Sequence, residues 1–349
     1  MAINLMERNM KAIRLYGPRD LRLDEVPRPE ITPQQVLIRI EACGICPSDV
    51  RWYAGTRPIS GRVKLPHIPG HEWVGEIVEV GSEVTGYQVG DRVAAYGQVV
   101  CGMCENCQRG IFNFCLHRQW AIEGGFSQYG RASAQGLLPI PQELSYEEAS
   151  FAEPLSCCIN GIWRSHVRLG DDVVVVGAGP IGLLHVQLAR LQGARVIATD
   201  LIPERLEVAK AVGAHEVVDA GGGDAVEQVR ELTQGRGADA IIVATGTRAA
   251  MEQGLQMAAL HGNVNFFAGS YPSPQLSLDP NLIHYKELTL TGSHHFTPFT
   301  FQRALKLLQY GLVQVKPLIS HRLELEQTPE GFDIVAGQKG LKVIVFPQQ

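Results

Sequence analysis

The stretch DDVVVVGAGPIGLLHVQLARLQGARVIATD, residues 171–200, decides the fold. Val173 to Val176 form an apolar run with no polar alternation, as expected of a strand buried on both faces of a parallel sheet. Gly177, Gly179 and Gly182 follow in the spacing G-x-G-x-x-G, and a helical pattern opens behind them. A second apolar run, RVIATD, ends on Asp200, 23 residues beyond Gly177. Alone, the glycine spacing is weak, because glycine turns occur in other α/β folds. A strand before it, a helix after it and an acid closing the next strand make it a dinucleotide-binding fingerprint. Gly177, Gly179, Pro180, Ile181 and Gly182 are therefore candidate cofactor-binding residues: the glycines admit the pyrophosphate close to the backbone at the positive end of a helix. Asp200 is expected to accept hydrogen bonds from the adenosine ribose and to repel a 2′-phosphate, which favours NAD over NADP. Arg205 either flanks the adenine or is an exposed helix arginine.

Outward from this stretch the pattern continues. PERLEVAKAVGA reads as a helix, EVVDA as a strand, DAVEQVRELTQG as a helix and ADAIIVAT as a strand, so the region is a doubly wound α/β domain. TPFTFQRALKLLQYG is a further helix and KVIVFP a closing strand. Upstream the texture differs. KAIRLYG, QVLIRIEACG, GEIVEVGSEV and DRVAAYG are short Val/Ile-rich runs broken by glycine and charged turns, the signature of a β-rich, barrel-like region. A chain of 349 residues, 45% hydrophobic and 19% charged, has material for two domains. Its formal charge of −5 gives no whole-surface attraction for nucleic acid or an anionic membrane. There is no apolar run of membrane-spanning length, and MAINLMERNM lacks the charged and apolar regions of a signal peptide, so it reads as a short leader before the first strand. A reducing cytoplasm is the expected compartment.

Four of the eight cysteines crowd into CGMCENCQRGIFNFC, where Cys101, Cys104, Cys107 and Cys115 are spaced C-x2-C-x2-C-x7-C. In such a compartment this argues for a metal rather than disulfides. Four thiolates on one loop make a closed tetrahedral zinc site of the structural kind. An iron–sulfur cluster uses the same ligands, but nothing else in the chain points to electron transfer. A second set is dispersed: His71 and Glu72 in GHE, Glu153 in FAEPLS, and a cysteine from EACGICPSDVRWYAG, residues 41–55. Cysteine, histidine and glutamate together suit a catalytic zinc with one position open.

With these motifs the chain resembles the zinc-containing alcohol dehydrogenases of the medium-chain dehydrogenase/reductase superfamily, and within it the sorbitol (polyol) and threonine dehydrogenase branch. C-x-S-D, G-H-E, the four-cysteine lobe, E-P-L-S, the glycine fingerprint and the C-terminal VKPLISHRLELEQTPEGFDIVAGQKGLKVIV carry the resemblance. It implies a GroES-like catalytic domain, residues 1–155 and 293–349, interrupted by a Rossmann NAD-binding domain, residues 156–292. It also implies two zinc ions per chain, NAD, a homo-oligomer (tetramer or dimer), and hydride transfer from a secondary alcohol of a polyol, sugar or sugar derivative. Threonine 3-dehydrogenase, vicinal-diol dehydrogenase and an inactive structural relative are the alternatives. The family frame selects Cys46 over Cys43 as the metal-binding cysteine and leaves Cys43, Cys157 and Cys158 as packing thiols. By carry-over Cys46 and His71 are ligands of the catalytic zinc, Glu72 is a ligand or exchanges with water, and Glu153 is a ligand or holds the zinc-bound water. Ser48 is expected to hydrogen-bond the reacting oxygen and start the proton's exit. Arg51 stands where many relatives carry a proton-relaying histidine; arginine does not deprotonate, so it cannot relay by titrating. Pro47 is read as a rigid spacer, and His294 and His295 occupy the segment where sorbitol-type enzymes place a substrate-contacting arginine. Arg51, Arg57, Arg62 and Lys64 lie in a stretch without an acid; it reads as a solvated loop, or as one in which at least Arg51 pairs with the cofactor pyrophosphate or an anionic substrate group.

Overall fold

A computed structural model describes residues 9–58, 63–120, 122 and 124–349; residues 1–8 of the expected leader and Arg62 lie outside the described residues, while the leader's last two residues, Asn9 and Met10, open the first strand. The chain forms two compact units, one of residues 1–153, 297–309 and 319–349, the other of residues 154–296 and 310–318.

In chain order the strands are β1 (Asn9–Gly17), β2 (Asp20–Pro27), β3 (Gln35–Gly44), β4 (Glu72–Val80), β5 (Arg92–Ala95), β6 (Gln98–Val99), β7 (Gln119–Trp120), β8 (Tyr129–Ser133) and β9 (Leu137–Pro139). There follow β10 (Asp172–Val176), β11 (Arg195–Asp200), β12 (Glu216–Asp219), β13 (Ala238–Val243), β14 (Ala258–Phe266), β15 (Thr289–Gly292), β16 (Ile319–Glu324) and β17 (Lys342–Phe346).

The first unit is built on a seven-stranded sheet of order β16-β17-β3-β4-β5-β9, with β8 also paired to β3. β3 anchors the sheet: Val36, Ile38, Ile40 and Cys43 of QVLIRIEACG join Trp73, Phe126 and Phe332 in one apolar core. The C-terminal strand β17 pairs antiparallel with β3, setting Ile344 opposite Gly44 and Val345 opposite Cys43. β3 also pairs with β4 so that Gly44 faces Glu72. These two registers bring Lys342 and Glu72 to the same corner. A Cβ on Gly44 would strike the Glu72 carboxylate and come within 2.7 Å of Lys342 Cε, so a side chain there would push this pair aside.

The second unit is a six-stranded parallel sheet of order β12-β11-β10-β13-β14-β15. The valine run is its central strand β10, buried as read. β14, AALHGNVNF, was not legible as a strand: its polar and glycine positions hide the apolar pattern. Pairing with β13 rescues it, with an irregularity between Ala238 and Ala240. Asn265, fully buried, donates to Gly161 O and Ser165 Oγ, both at 2.9 Å.

Candidate active site and metal centres

Cys46 is the N-cap of the helix Pro47–Tyr53, a helix started by Pro47 at a position where its missing N–H and fixed φ are favourable. Its sulfur accepts from Ser48 N at 3.5 Å and Ser48 Oγ at 3.2 Å. The sulfur of Cys46, a ring nitrogen of His71 and a carboxylate oxygen of Glu72 all lie within 4.8 Å of one another. His71 comes from the loop before β4 and Glu72 is that strand's first residue, so strand and helix bring the three donors together.

Asp49 is buried, with Oδ2 3.3 Å from His71 Nδ1. A carboxylate on one ring nitrogen of a ligating histidine orients the other toward the metal. Desolvation opposes a charge on His71, but Asp49 and Cys46 outweigh it and hold its pKa well above the ordinary value. The donors and the orienting carboxylate fit a zinc ion.

Glu72 is ion-paired with Lys342, both side chains being at most 5% exposed. Lys342 Nζ also donates to Ile45 O at 3.2 Å. Burial works against the lysine's charge, yet Glu72 raises its pKa. Glu153 lies in the first turn of the helix Ala152–Arg164 and is buried. Burial lifts its carboxyl to about 7, against the attraction of His71. Cys43 is fully buried, its thiol pushed up by burial, as befits a packing residue. Sequence reasoning missed Lys342 and the orienting part of Asp49; the S-D following Cys46 was the available signal for the latter.

Cys101, Cys104, Cys107 and Cys115 converge with sulfur–sulfur distances of 4.0 Å (Cys101–Cys107), 4.0 Å (Cys104–Cys115) and 3.6 Å (Cys101–Cys115). Tetrahedral zinc with Zn–S near 2.3 Å requires about 3.8 Å between sulfurs. Backbone N–H groups of Cys101, Cys104 and Leu116 point at Cys115, Cys101 and Cys104 sulfurs from 3.3, 3.3 and 3.5 Å. The N–H groups of Leu116 and Cys107 pull Cys104 down to about 6, while burial pushes Cys107 up to about 12. This donor set fits a closed zinc site.

In the second unit Gly177 sits at φ +97, a left-handed turn that suits glycine. A Cβ on Gly182 would collide with Gly177 O, so the third glycine serves helix–strand packing. A Cβ on Gly179 would meet only an Arg205 guanidinium nitrogen, 3.9 Å away, so space is open over the turn. Gly179 caps the helix Pro180–Leu191 with no side-chain hydrogen bond, leaving its first N–H groups for a ligand. Asp200 accepts from Ala178 N at 2.6 Å and Ile202 N at 2.9 Å, which fixes its carboxylate at the end of β11. The turn fits a dinucleotide. His295 lies at φ +61, and Asn160 Nδ2 donates to its carbonyl at 2.9 Å.

Arg51 lies in the last turn of the Cys46-capped helix, half-buried, and its carbonyl accepts from Thr56 N and Arg57 N at 3.1 and 3.2 Å. Among the described residues no helix is long and apolar enough to cross a membrane.

Residues 32–142 match the alcohol dehydrogenase GroES-like domain, and residues 180–310 match the zinc-binding dehydrogenase family. The chain is 34% identical over 348 residues to sorbitol dehydrogenase of Bacillus subtilis (strain 168), covering 98% of each. It is 36% identical to L-threonine 3-dehydrogenase of Bacillus licheniformis, covering 98% of this chain and 100% of that one. A crystal structure of a zinc-binding dehydrogenase from Sinorhizobium meliloti 1021 bound to NADP superposes with a TM-score of 0.90 at 32% identity, over 97% of this chain and 99% of that one.

Proposed function

The chain belongs to the zinc-containing alcohol dehydrogenase family, and we propose that its substrate is a polyol, sugar or sugar derivative whose secondary hydroxyl it oxidises with NAD. The protein is a zinc-type oxidoreductase with a GroES-like and a Rossmann-type domain. The observation that carries the reading is the convergence of Cys46, His71 and Glu72 beside Ser48, with Asp49 behind the histidine.

Zinc, when bound, supplies a Lewis acid that lowers the pKa of an alcohol oxygen, and the dinucleotide supplies the hydride acceptor. Cys46 and His71 would give the sulfur and nitrogen donors and Glu72 a carboxylate, while Glu153, whose carboxyl feels the charges of His71 and Glu72, would be a further ligand or hold the zinc-bound water. Ser48 Oγ hydrogen-bonds the reacting hydroxyl and receives its proton's first movement. Arg51, which does not deprotonate, could not carry the proton onward by titrating. The four cysteines 101, 104, 107 and 115 hold a second, structural zinc. Gly177, Gly179, Pro180, Ile181 and Gly182 receive the pyrophosphate and Asp200 the ribose, with Arg205 beside it. The fixed negative charge of Asp200 supports NAD over NADP. Residues 1–155 and 293–349 make the catalytic domain and 156–292 the nucleotide-binding domain. A cytoplasmic homotetramer fits the family.

A panel of polyols, sugar acids, sugar phosphates and L-threonine, each with NAD and with NADP and followed by nicotinamide absorbance, tests this. Turnover of a polyol-type alcohol with NAD is expected. Turnover of L-threonine alone would transfer the reading to the threonine branch, which the identity to the B. licheniformis enzyme makes the second candidate.

A further inference from the structure

We propose that Lys342 is a positioning residue for the candidate catalytic metal: it holds one oxygen of Glu72 in a buried ion pair, competes with the metal for that carboxylate, and so keeps Glu72 exchangeable and one metal position open. This rests on the dehydrogenase reading above and deepens it at the same site.

Glu72 converges with Cys46 and His71 as a donor. One of its oxygens, Oε2, is ion-paired with Lys342 Nζ, the lysine side chain 5% and the glutamate side chain 2% exposed. A pair so buried is little screened by salt. The same ammonium donates to Ile45 O at 3.2 Å, the carbonyl just before Cys46. One cation therefore ties the Glu72 carboxylate to the segment that carries the sulfur donor. Backbone register fixes its place. Ile344 pairs with Gly44, Gly44 pairs with Glu72, and Ile45 N donates to Val343 O at 3.0 Å. Gly44 walls the pair on one side, since a Cβ there would strike Glu72 Oε2 and lie 3.1 Å from Lys342 Nζ.

Stability alone does not account for such a pair. Two buried ions gain little over apolar residues of the same volume, because desolvation offsets their attraction. Their position beside the donors gives them a role. Desolvation works against the lysine's charge, while Glu72, Cys46 and Glu153 sustain it, so the ammonium feels the anionic groups of the site. A metal ion and Lys342 are then alternative counter-ions for one carboxylate, and by linkage each weakens the other's hold on it. Without the lysine both Glu72 oxygens pass to the metal, which is held more tightly and loses the open position a catalytic site needs.

The experiment depletes the open site with dipicolinate and measures its zinc affinity by chelator competition in wild type, Lys342→Met and Lys342→Met/Glu72→Gln. Cobalt(II) placed in the same site then reports imidazole binding through its visible spectrum, imidazole standing in for any ligand of the open position. In Lys342→Met zinc affinity should rise roughly 10–100-fold, the effect of removing a unit charge several ångströms away, and imidazole should bind more weakly. In the double variant the freed carboxylate is gone, and both values should return close to wild type. A residue that only braces a ligand acts in the opposite sense, its loss lowering metal affinity by about 10–100-fold. Lower or unchanged zinc affinity in Lys342→Met therefore overturns the proposal, as does tighter zinc without weaker imidazole. If Lys342→Met does not fold, the double variant decides: zinc affinity near wild type is expected, and a marked loss overturns the proposal by making Glu72 a full ligand despite the lysine. A wild type that binds no metal at Cys46 and His71 refutes the dehydrogenase reading and the proposal together.

Discussion

Replacing Lys342 by methionine removes one half of a buried ion pair and keeps the aliphatic stem. Glu72 is 2% exposed and has Lys342 as its ion-pair partner at the corner where β17, β3 and β4 meet. Breaking such a pair on one side leaves an uncompensated buried charge and costs about 3–5 kcal/mol. The pair's own net worth is much smaller, since desolvation of both ions offsets most of their attraction. Lys342→Met combined with Glu72→Gln should therefore recover most of what the single change loses. The first unit has about 200 residues, for which each kcal/mol moves the midpoint by about 2–4 °C, so the single variant should melt roughly 6–20 °C lower. Scanning calorimetry of wild type, both single variants and the double variant gives the coupling. A Lys342→Met protein within about 1 kcal/mol of wild type, or a double variant no better than the single, would show that Glu72 does not depend on this lysine.

Cys43→Ser should leave turnover nearly unchanged, and a dead Cys43→Ser enzyme would mean that the metal-binding cysteine is misassigned. Asp200→Ala should narrow the preference for NAD over NADP by roughly 10–100-fold, as ribose hydrogen bonds and like-charge repulsion vanish together; kinetics with both cofactors check it. Gly182→Ala, whose Cβ meets Gly177 O, should lose about 1–3 kcal/mol of stability along with NAD binding, measured by denaturation and fluorescence titration. In zinc-free protein the Glu153 carboxyl, raised by burial from 4.5 to about 7, favours the protonated folded state. Its effect is harmless below about pH 4.5 and destabilises progressively as pH rises toward 7, an effect on the order of 3 kcal/mol that Glu153→Gln should flatten in pH-dependent unfolding.

What the sequence reveals depends on how local the physics is. The valine run, the glycine turn and Asp200 fall within one β-α-β unit, and their spacing alone implies their packing. The four cysteines share one loop, and the structure adds only the N–H groups aimed at their sulfurs. Cys46, His71 and Glu72 were separable from bystanders such as Cys43 only through a family frame, because spacing does not show which sulfur faces a distant histidine. Lys342 was invisible: it meets Glu72 across 270 residues, through two strand registers that no local pattern encodes. Arg51 was visible as a charge, but the turn in which its carbonyl accepts from Thr56 N and Arg57 N, and the placement of Arg57 over the Trp52 ring, were not.

Zinc content and hydride transfer measured together on wild type and Cys46→Ser test the central claim most directly. The account predicts two zinc ions per chain and NAD-linked polyol oxidation in the wild type. In Cys46→Ser it predicts one remaining zinc, NAD binding intact and no turnover. A Cys46→Ser protein that keeps both zinc ions and its activity would contradict it.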